Sequence, residues 1–427
     1  MRELEHRFAD AIVVIGVHSG KFIAERVTER IREAANRLDV PHPIVNDRQF
    51  RVWRSFAVRA WPTLVAIDPA GYVVGMHAGE FTSDMLGEFL DAQIARAESS
   101  GTLDRSPREW PPDGPAIAPG PLRYPGKVAI DGARIAIADS GNDRVIIGTL
   151  NPDGRTARVT HAVETITGDV PASEASRFRH PQGLAFAGET LYVADAGNHC
   201  IRAIDLSTGI ARTLAGTGRQ MRTRGDLRAG ALSSPWDLAV DGDRLLVAMA
   251  GVHRLWEVAI ANGESRPFSG SGAEDVVDGA HAEAALAQPM GLALDGDRLY
   301  FADAESSAVR VAELSPDGGV TTLVGTGLFD FGDRDGRGES VRLEHAQGLA
   351  LHGDGRLLIA DSYNDSLRWL DPATREVTTW LRVFHEPGGL AIAGGKVYVA
   401  DTNAHRIAVV EESTGLVGQL ELVETGH

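Results

Sequence analysis

Apolar residues follow two rhythms along this chain, and the change from one to the other divides it. Residues 11–18, AIVVIGVH, form a continuous apolar run of strand length. KFIAERVTERIREAANRLDV then sets Phe22, Ile23, Val27, Ile31, Ala34, Ala35 and Leu38 at helical spacing, which predicts an amphipathic helix after the strand. PIVND, WPTLVAID and GYVVGMH predict three further short strands, the last two joined by a Pro-Ala-Gly turn. Ser83 is placed to cap a helix carrying Met85, Leu86, Phe89, Leu90 and Ile94. These elements make a small α/β unit over residues 1–98.

Residues 99–121, SSGTLDRSPREWPPDGPAIAPGP, are rich in proline and glycine without periodicity and read as a semi-extended linker. Beyond it one motif recurs six times: RIAIADSGNDRVI, LYVADAGNHCIRAID, LLVAMAGVHRLWEV, LYFADAESSAVRVAEL, LLIADSYNDSLRWLD and VYVADTNAHRIAVVE. The equivalent positions are Asp139, Asp195, Met249, Asp303, Asp361 and Asp401. An apolar strand opened by a Pro-x-Gly-like turn precedes each copy, as in HPQGLAFAG and QPMGLALDG, and glycine turns such as TLVGTG follow several. Three or four short strands repeated six times predict a six-bladed β-propeller over residues 122–422, each blade covering its faces with its neighbours.

The recurring ADxxNHRI-like core resembles the NHL repeat. VVIGVHS with its following helix, HPIVND and AWPTLVAIDPAGYVV resemble the redoxin branch of the thioredoxin-like fold. In that order the chain resembles proteins in which a thioredoxin-like domain is fused to a six-bladed NHL propeller, the NHL repeat-containing protein 2 type. The resemblance implies that Pro62 is the cis-proline facing a redox dithiol, with a cis bond at Trp61–Pro62. It places the CxxC one helix before AIVVIGVH, where MRELEHRFAD supplies only the second half of a helix, with Leu4 and Phe8 on its apolar side. The thioredoxin-like domain is therefore expected to lack its first strand and its dithiol. Two explanations stand: a degenerate domain kept for its surface, or a natural protein starting upstream of Met1. The second is favoured, because loss of a central strand exposes unpaired edges and should destabilise the unit. Relative to the resemblance the C-terminus is also short, ending at LVGQLELVETGH.

Composition narrows the function classes. The net charge of -17 is concentrated after residue 100, where 45 acidic residues face 30 basic ones, so nucleic-acid binding is not expected. No apolar window reaches the roughly 20 residues that cross a bilayer, and the charged N-terminus does not read as a signal peptide; a cytoplasmic monomer without membrane contact is expected. The single cysteine, Cys200, excludes an internal disulfide, a CxxC pair and a multi-thiolate zinc site within these residues, and reads as a buried small hydrophobe.

Each candidate for chemistry has a structural alternative. The Asp–Arg pairs of the repeat, such as Asp139 with Arg144 and Asp401 with Arg406, read as loop-fixing bonds because they recur in nearly every blade; Met249 breaks the pattern in blade three. The acidic loops SGSGAEDVVDGAHAEA and FDFGDRDGRGES lack the spacing that surrounds a calcium ion and read as solvated. Ser19 reads equally as a helix cap and, with His18, as a neighbour of the redoxin active site. No nucleophile elbow or phosphate-binding glycine loop occurs. The turns opening the innermost strands converge on one mouth of the channel, the default ligand site. Aligned there are Tyr124, His180, Ser234, Gln288, His345 and Glu386, with His385 adjacent. Two steps beyond the proline position come Lys127, Gly183, Asp237, Gly291, Gly348 and Gly389, with Trp236 between.

The expected function is non-enzymatic: the mouth and the cleft between domains bind a partner protein or small ligand through Trp61, Pro62, Tyr124, Lys127, His180, Trp236, Asp237, His345, His385 and Glu386. No catalytic residue, metal or cofactor is assigned. The alternative is a thiol-disulfide oxidoreductase with a CxxC upstream of Met1, and the third reading is a metal-dependent propeller lyase using His180, His345 and His385.

Overall fold

A computed structural model describes residues 1–79, 81, 83–106, 120–168, 176–221 and 230–424. Linker residues 107–119 lie outside the described residues, as does the side chain of Ser83. The chain divides into two units, Met1–Ala118 and Pro119–His427.

The first unit contains α1 (Arg2–Arg7), β1 (Gly16–His18), α2 (Thr28–Arg37), β2 (Ile44–Asn46), α3 (Arg51–Ser55), β3 (Thr63–Ile67), β4 (Val73–Ala78) and α4 (Ser83–Ser99). β1 pairs with β2 in parallel, Val17 opposite Val45, and β3 with β4 antiparallel, Val65 opposite Met76. These are two separate two-stranded sheets. Leu4, Phe8, Phe22 and Ile31 are buried, and the Trp61–Pro62 bond is cis.

Two expectations for this unit need correction. The run 11–18 is a strand only over its last three residues, the stretch that finds a partner, and Val13 and Ile15 are exposed. The helix expected over 21–40 is interrupted. A short 3₁₀ turn, Ala24–Arg26, ends in Val27 with extended backbone angles, and α2 starts afresh at Thr28. The Arg26 carbonyl freed by the break accepts from Asn46 Nδ2 at 3.1 Å. The break resets the helical phase, so Ile23 and Val27 do not share the face of Ile31, and Leu38 lies past the last turn; all three are exposed.

The second unit consists of six sheets arranged as a ring of blades. Their innermost strands are Lys127–Asp131, Pro181–Ala187, Pro235–Asp241, Pro289–Asp295, Gly348–Leu351 and Pro387–Ala393, each touching the next and the last touching the first. Every blade adds three more antiparallel strands outward, and blades four and five gain a two-residue outer strand, Gly279–Ala280 and Gly336–Arg337. Six clusters of buried apolar side chains fill the six seams. Ile135, Ile137, Tyr398 and Ile407 lie between blades six and one. This accounts for the near-continuous apolar character of the repeat strands, since both faces of each sheet are covered. Each fully buried Val, Leu or Ile contributes about 1.5–3 kcal/mol.

Because the covalent order runs from blade one to blade six, the ring needs a separate closure. Glu421–Glu424 crosses back and pairs in parallel with Thr156–Val159, becoming the fifth strand of blade one and covering its outer edge. Among the described residues no helix is long and apolar enough to cross a membrane.

Candidate functional site

The repeat motif builds one local device. The aspartate at the end of the second strand accepts, on Oδ1, the N–H of the residue that begins the turn into its own blade's innermost strand. The bonds are Arg123 to Asp139 (2.7 Å), Arg179 to Asp195 (2.8 Å), Ala287 to Asp303 (2.8 Å), Glu344 to Asp361 (2.8 Å) and His385 to Asp401 (2.6 Å). In blade three Met249 takes the same place, its sulfur 3.3 Å from the Ser233 nitrogen. The second carboxylate oxygen pairs with an arginine, Arg144 or Arg406 in blades one and six, five residues on. Blades two, four and five instead use Arg202, Arg310 and Arg368, seven residues on, and these guanidiniums are fully buried.

Asp278 of one acidic loop bonds Arg310 at 3.1 Å, and Asp333 and Asp335 of the other close on Arg368, Asp335 at 2.8 Å. The loops expected to be solvated thus supply counter-charges to buried arginines, a role hidden in the sequence because it depends on contacts across more than thirty residues. Burial raises the carboxyls of Asp195, Asp303 and Asp401 above their ordinary range against the pull of their arginines, and that of Asp361 to about 6.

A second ring of bonds links blade to blade. The residue before the proline position is left-handed in all six copies, with φ between 46° and 67°. Its N–H points into the preceding blade and meets the side chain of another left-handed residue, the one ending that blade's 3₁₀ turn. His180 donates to Asp143 (2.7 Å), Ser234 to His199 Nδ1 (3.0 Å), Gln288 to His253 Nδ1 (3.2 Å), His345 to Ser307 (3.0 Å) and Glu386 to Asp365 (3.0 Å). Tyr124 donates to His405 Nδ1 (3.1 Å) and completes the circle.

Two residues past the proline position, the innermost strands come too close for most side chains. A Cβ on Gly348 would lie 2.1 Å from the Gly388 carbonyl oxygen, and one on Gly183 2.5 Å from Asp237 Cα. Four of the six aligned positions are glycine, and the other two, Lys127 and Asp237, reach each other across the channel at 2.6 Å with side chains 11% and 4% exposed. Asp237 also accepts from the Leu238 and Leu292 N–H groups, at 2.9 and 3.0 Å, and so ties blades one, three and four together. This pair, with Gln182, Trp236, Gln347, Gly126 and Gly388, lines a cavity of about 10 Å³, room for about one water molecule.

The sequence-aligned residues therefore divide. Tyr124 and Glu386 are buried, and His345 is stacked on Tyr363 at 4.5 Å with Nε2 3.6 Å from Glu305. His180 and Trp236 are half-buried and His385 is exposed. Among the described residues no three His, Cys, Asp or Glu side chains are grouped to hold a metal, and Cys200 is buried.

Trp61 and Pro62 belong to the first unit. The half-exposed indole of Trp61 donates to the Ser19 carbonyl at 2.8 Å and lies 4.5 Å from Trp53. Ser19 Oγ donates to Asp47 at 3.0 Å rather than capping a helix. Asp47, which sequence reasoning did not single out, is buried and accepts from the N–H groups of Arg51, Val52 and Trp53 at 2.7–3.1 Å. Burial pushes its carboxyl up, but these bonds together hold it below the usual range. Asp47→Ala is expected to cost the first unit about 1–3 kcal/mol, read as faster proteolysis of that unit alone. The contribution of Asp47 is complete above the ordinary carboxylate range and is lost as pH falls below that range toward the depressed folded-state value.

The NHL repeat family model matches residues 178–204 and 384–410. NHL repeat-containing protein 2 of Gallus gallus is 35% identical over 480 aligned positions, covering 99% of this chain and 65% of that protein. Protein SUPPRESSOR OF QUENCHING 1, chloroplastic, of Arabidopsis thaliana is also 35% identical, over 449 positions covering 96% of this chain and 42% of its own. Both are homologues, and the chain spans less than two thirds of the length of either. Among solved structures, virginiamycin B lyase of Staphylococcus aureus matches with a TM-score of 0.45 at 12% identity, over 70% of this chain and 84% of that one.

Proposed function

We propose that this NHL propeller, homologous to NHL repeat-containing protein 2, is a non-enzymatic binding scaffold preceded by a thioredoxin-like unit, and that it takes a partner protein on the face around the channel mouth. The observation carrying this reading is the closure of the channel. With Lys127 and Asp237 joined across it, the space left holds about one water, far below the roughly 300 Å³ of an ordinary small-molecule pocket. Recognition then falls to the rim, where Trp236, Gln182 and Gln347 offer an indole and two amides beside the Lys127–Asp237 pair; we assign the imidazoles of His180 and His385 to the same face. One aromatic anchor among polar groups suits a protein surface.

The test is affinity capture with the whole chain and with Trp236→Ala/Gln347→Ala, whose side chains lie outside both hydrogen-bonded rings. We expect captured partners to fall at least tenfold while the chain stays folded, the unfolding midpoint dropping only by what the loss of Trp236 packing against the seam of blades three and four costs. Undiminished capture by the variant would remove the mouth from the reading.

A further inference from the structure

We propose that the seam between blades six and one is an acid-sensitive closure of the ring, governed by His405. The Tyr124 N–H, held left-handed at φ 47° by its backbone, has His405 Nδ1 as its acceptor at 3.1 Å. An imidazole nitrogen accepts only while it carries no proton, so the bond requires neutral His405 with its hydrogen on Nε2. The ring also packs edge-on against Tyr124 at 4.4 Å and 66°, so it cannot turn away without disturbing the residue it holds.

Charged neighbours come from both sides of the seam. Blade one brings Arg123 and Asp139; blade six brings His385, with Asp401 and Arg406 paired to one another. Burial, with Arg123 and His385, holds His405 below its ordinary value against the opposing pull of Asp139. The sign follows: a histidine depressed in the folded state gives stability that is complete above the ordinary imidazole range and is lost as pH falls below it. Protonation sets an N–H against the Tyr124 N–H and orphans that buried donor.

Loosening is the consequence rather than unfolding. Thr402 Oγ1 still donates to the Pro125 carbonyl at 2.9 Å, Gly389 N to the Gly126 carbonyl at 2.8 Å, and the strand Glu421–Glu424 still clasps blade one. In three other seams the acceptor is Asp143, Ser307 or Asp365 rather than an imidazole, and every seam but this one is also crossed by the chain itself. Gly126 and Lys127 line the mouth directly after the affected turn, so acid would slacken the surface proposed to hold a partner. That last consequence rests on the proposed function, but the seam does not.

The experiment measures hydrogen exchange of the peptide containing Tyr124 at pH 7.5 and 5.5, corrected for intrinsic rates, in the native chain and in His405→Asn. Asparagine tolerates the left-handed backbone and offers a non-titrating acceptor. The expected result is at least a tenfold loss of protection at pH 5.5 in the native protein and none in the variant. Equal loss in both, or no loss in the native protein, overturns the proposal. Should the variant fold poorly, NMR titration of His405 in the native chain decides: a midpoint below the ordinary value that tracks the exchange supports the closure, and one at or above it overturns it. Partner capture is not part of the readout, so failure here is separate from failure of the scaffold reading.

Discussion

Arg368→Leu is expected to lower the stability of the propeller by about 3–5 kcal/mol, the range for stripping one partner from a buried ion pair. Arg368 is fully buried, with Nε 2.7 Å from Asp361, itself inaccessible, and its other two nitrogens on Asp333 and Asp335. Leucine fills most of the volume but leaves the Asp361 carboxylate without a cation. Burial already raises that carboxyl to about 6 in the presence of Arg368; without the guanidinium it rises further. A carboxyl whose folded pKa exceeds its unfolded one favours the fold below the unfolded value and loses that contribution as pH rises through the folded value. The penalty of Arg368→Leu should therefore be larger at pH 8 than at pH 5, measured as urea midpoints. Equal penalties at both would show that Asp361 is not carrying an uncompensated charge. Asp333 and Asp335, held low by their hydrogen bonds, stay ionised across this window and do not change the sign.

Lys127→Met should cost nearly as much, about 3–5 kcal/mol, for the same reason at a different place. Asp237 keeps the Leu238 and Leu292 N–H groups but loses the ammonium at 2.6 Å in a channel where only 4% of its side chain meets solvent. Asp237→Asn removes the charge while retaining an oxygen for Leu292, so the double variant should recover part of the loss. Additive penalties in that cycle would mean that the two side chains do not act as one plug.

The ring was legible in the sequence because its unit is repeated. Strand rhythm, the Asp of the second strand and the turn before each innermost strand recur, so alignment of the copies also lined up Lys127, Gly183, Asp237, Gly291, Gly348 and Gly389. That Lys127 and Asp237 meet was not legible: they are 110 residues apart, and only the curvature of the ring brings the inner edges of blades one and three within reach of each other. The buried arginines were missed for a related reason, since the partner of the repeat aspartate moves from the fifth residue on to the seventh between blades. In the first unit helical spacing misled, because the break at Val27 is set by tertiary bonds to Asn46. The pairing of Ser19 with Asp47 needed the fold as well, the two being far apart in sequence.

The paired left-handed residues repeat at all six seams, whatever side chains they carry, so each blade meets its neighbours with the same backbone geometry. Which blade comes first in the chain is then immaterial to the ring. A circular permutant that joins residue 424 to residue 120 through a flexible connector, and begins instead in the connection between blades four and five, should assemble the same six-bladed circle. Its one covalently open seam would then be closed by Ser307 and His345 in place of His405 and Tyr124.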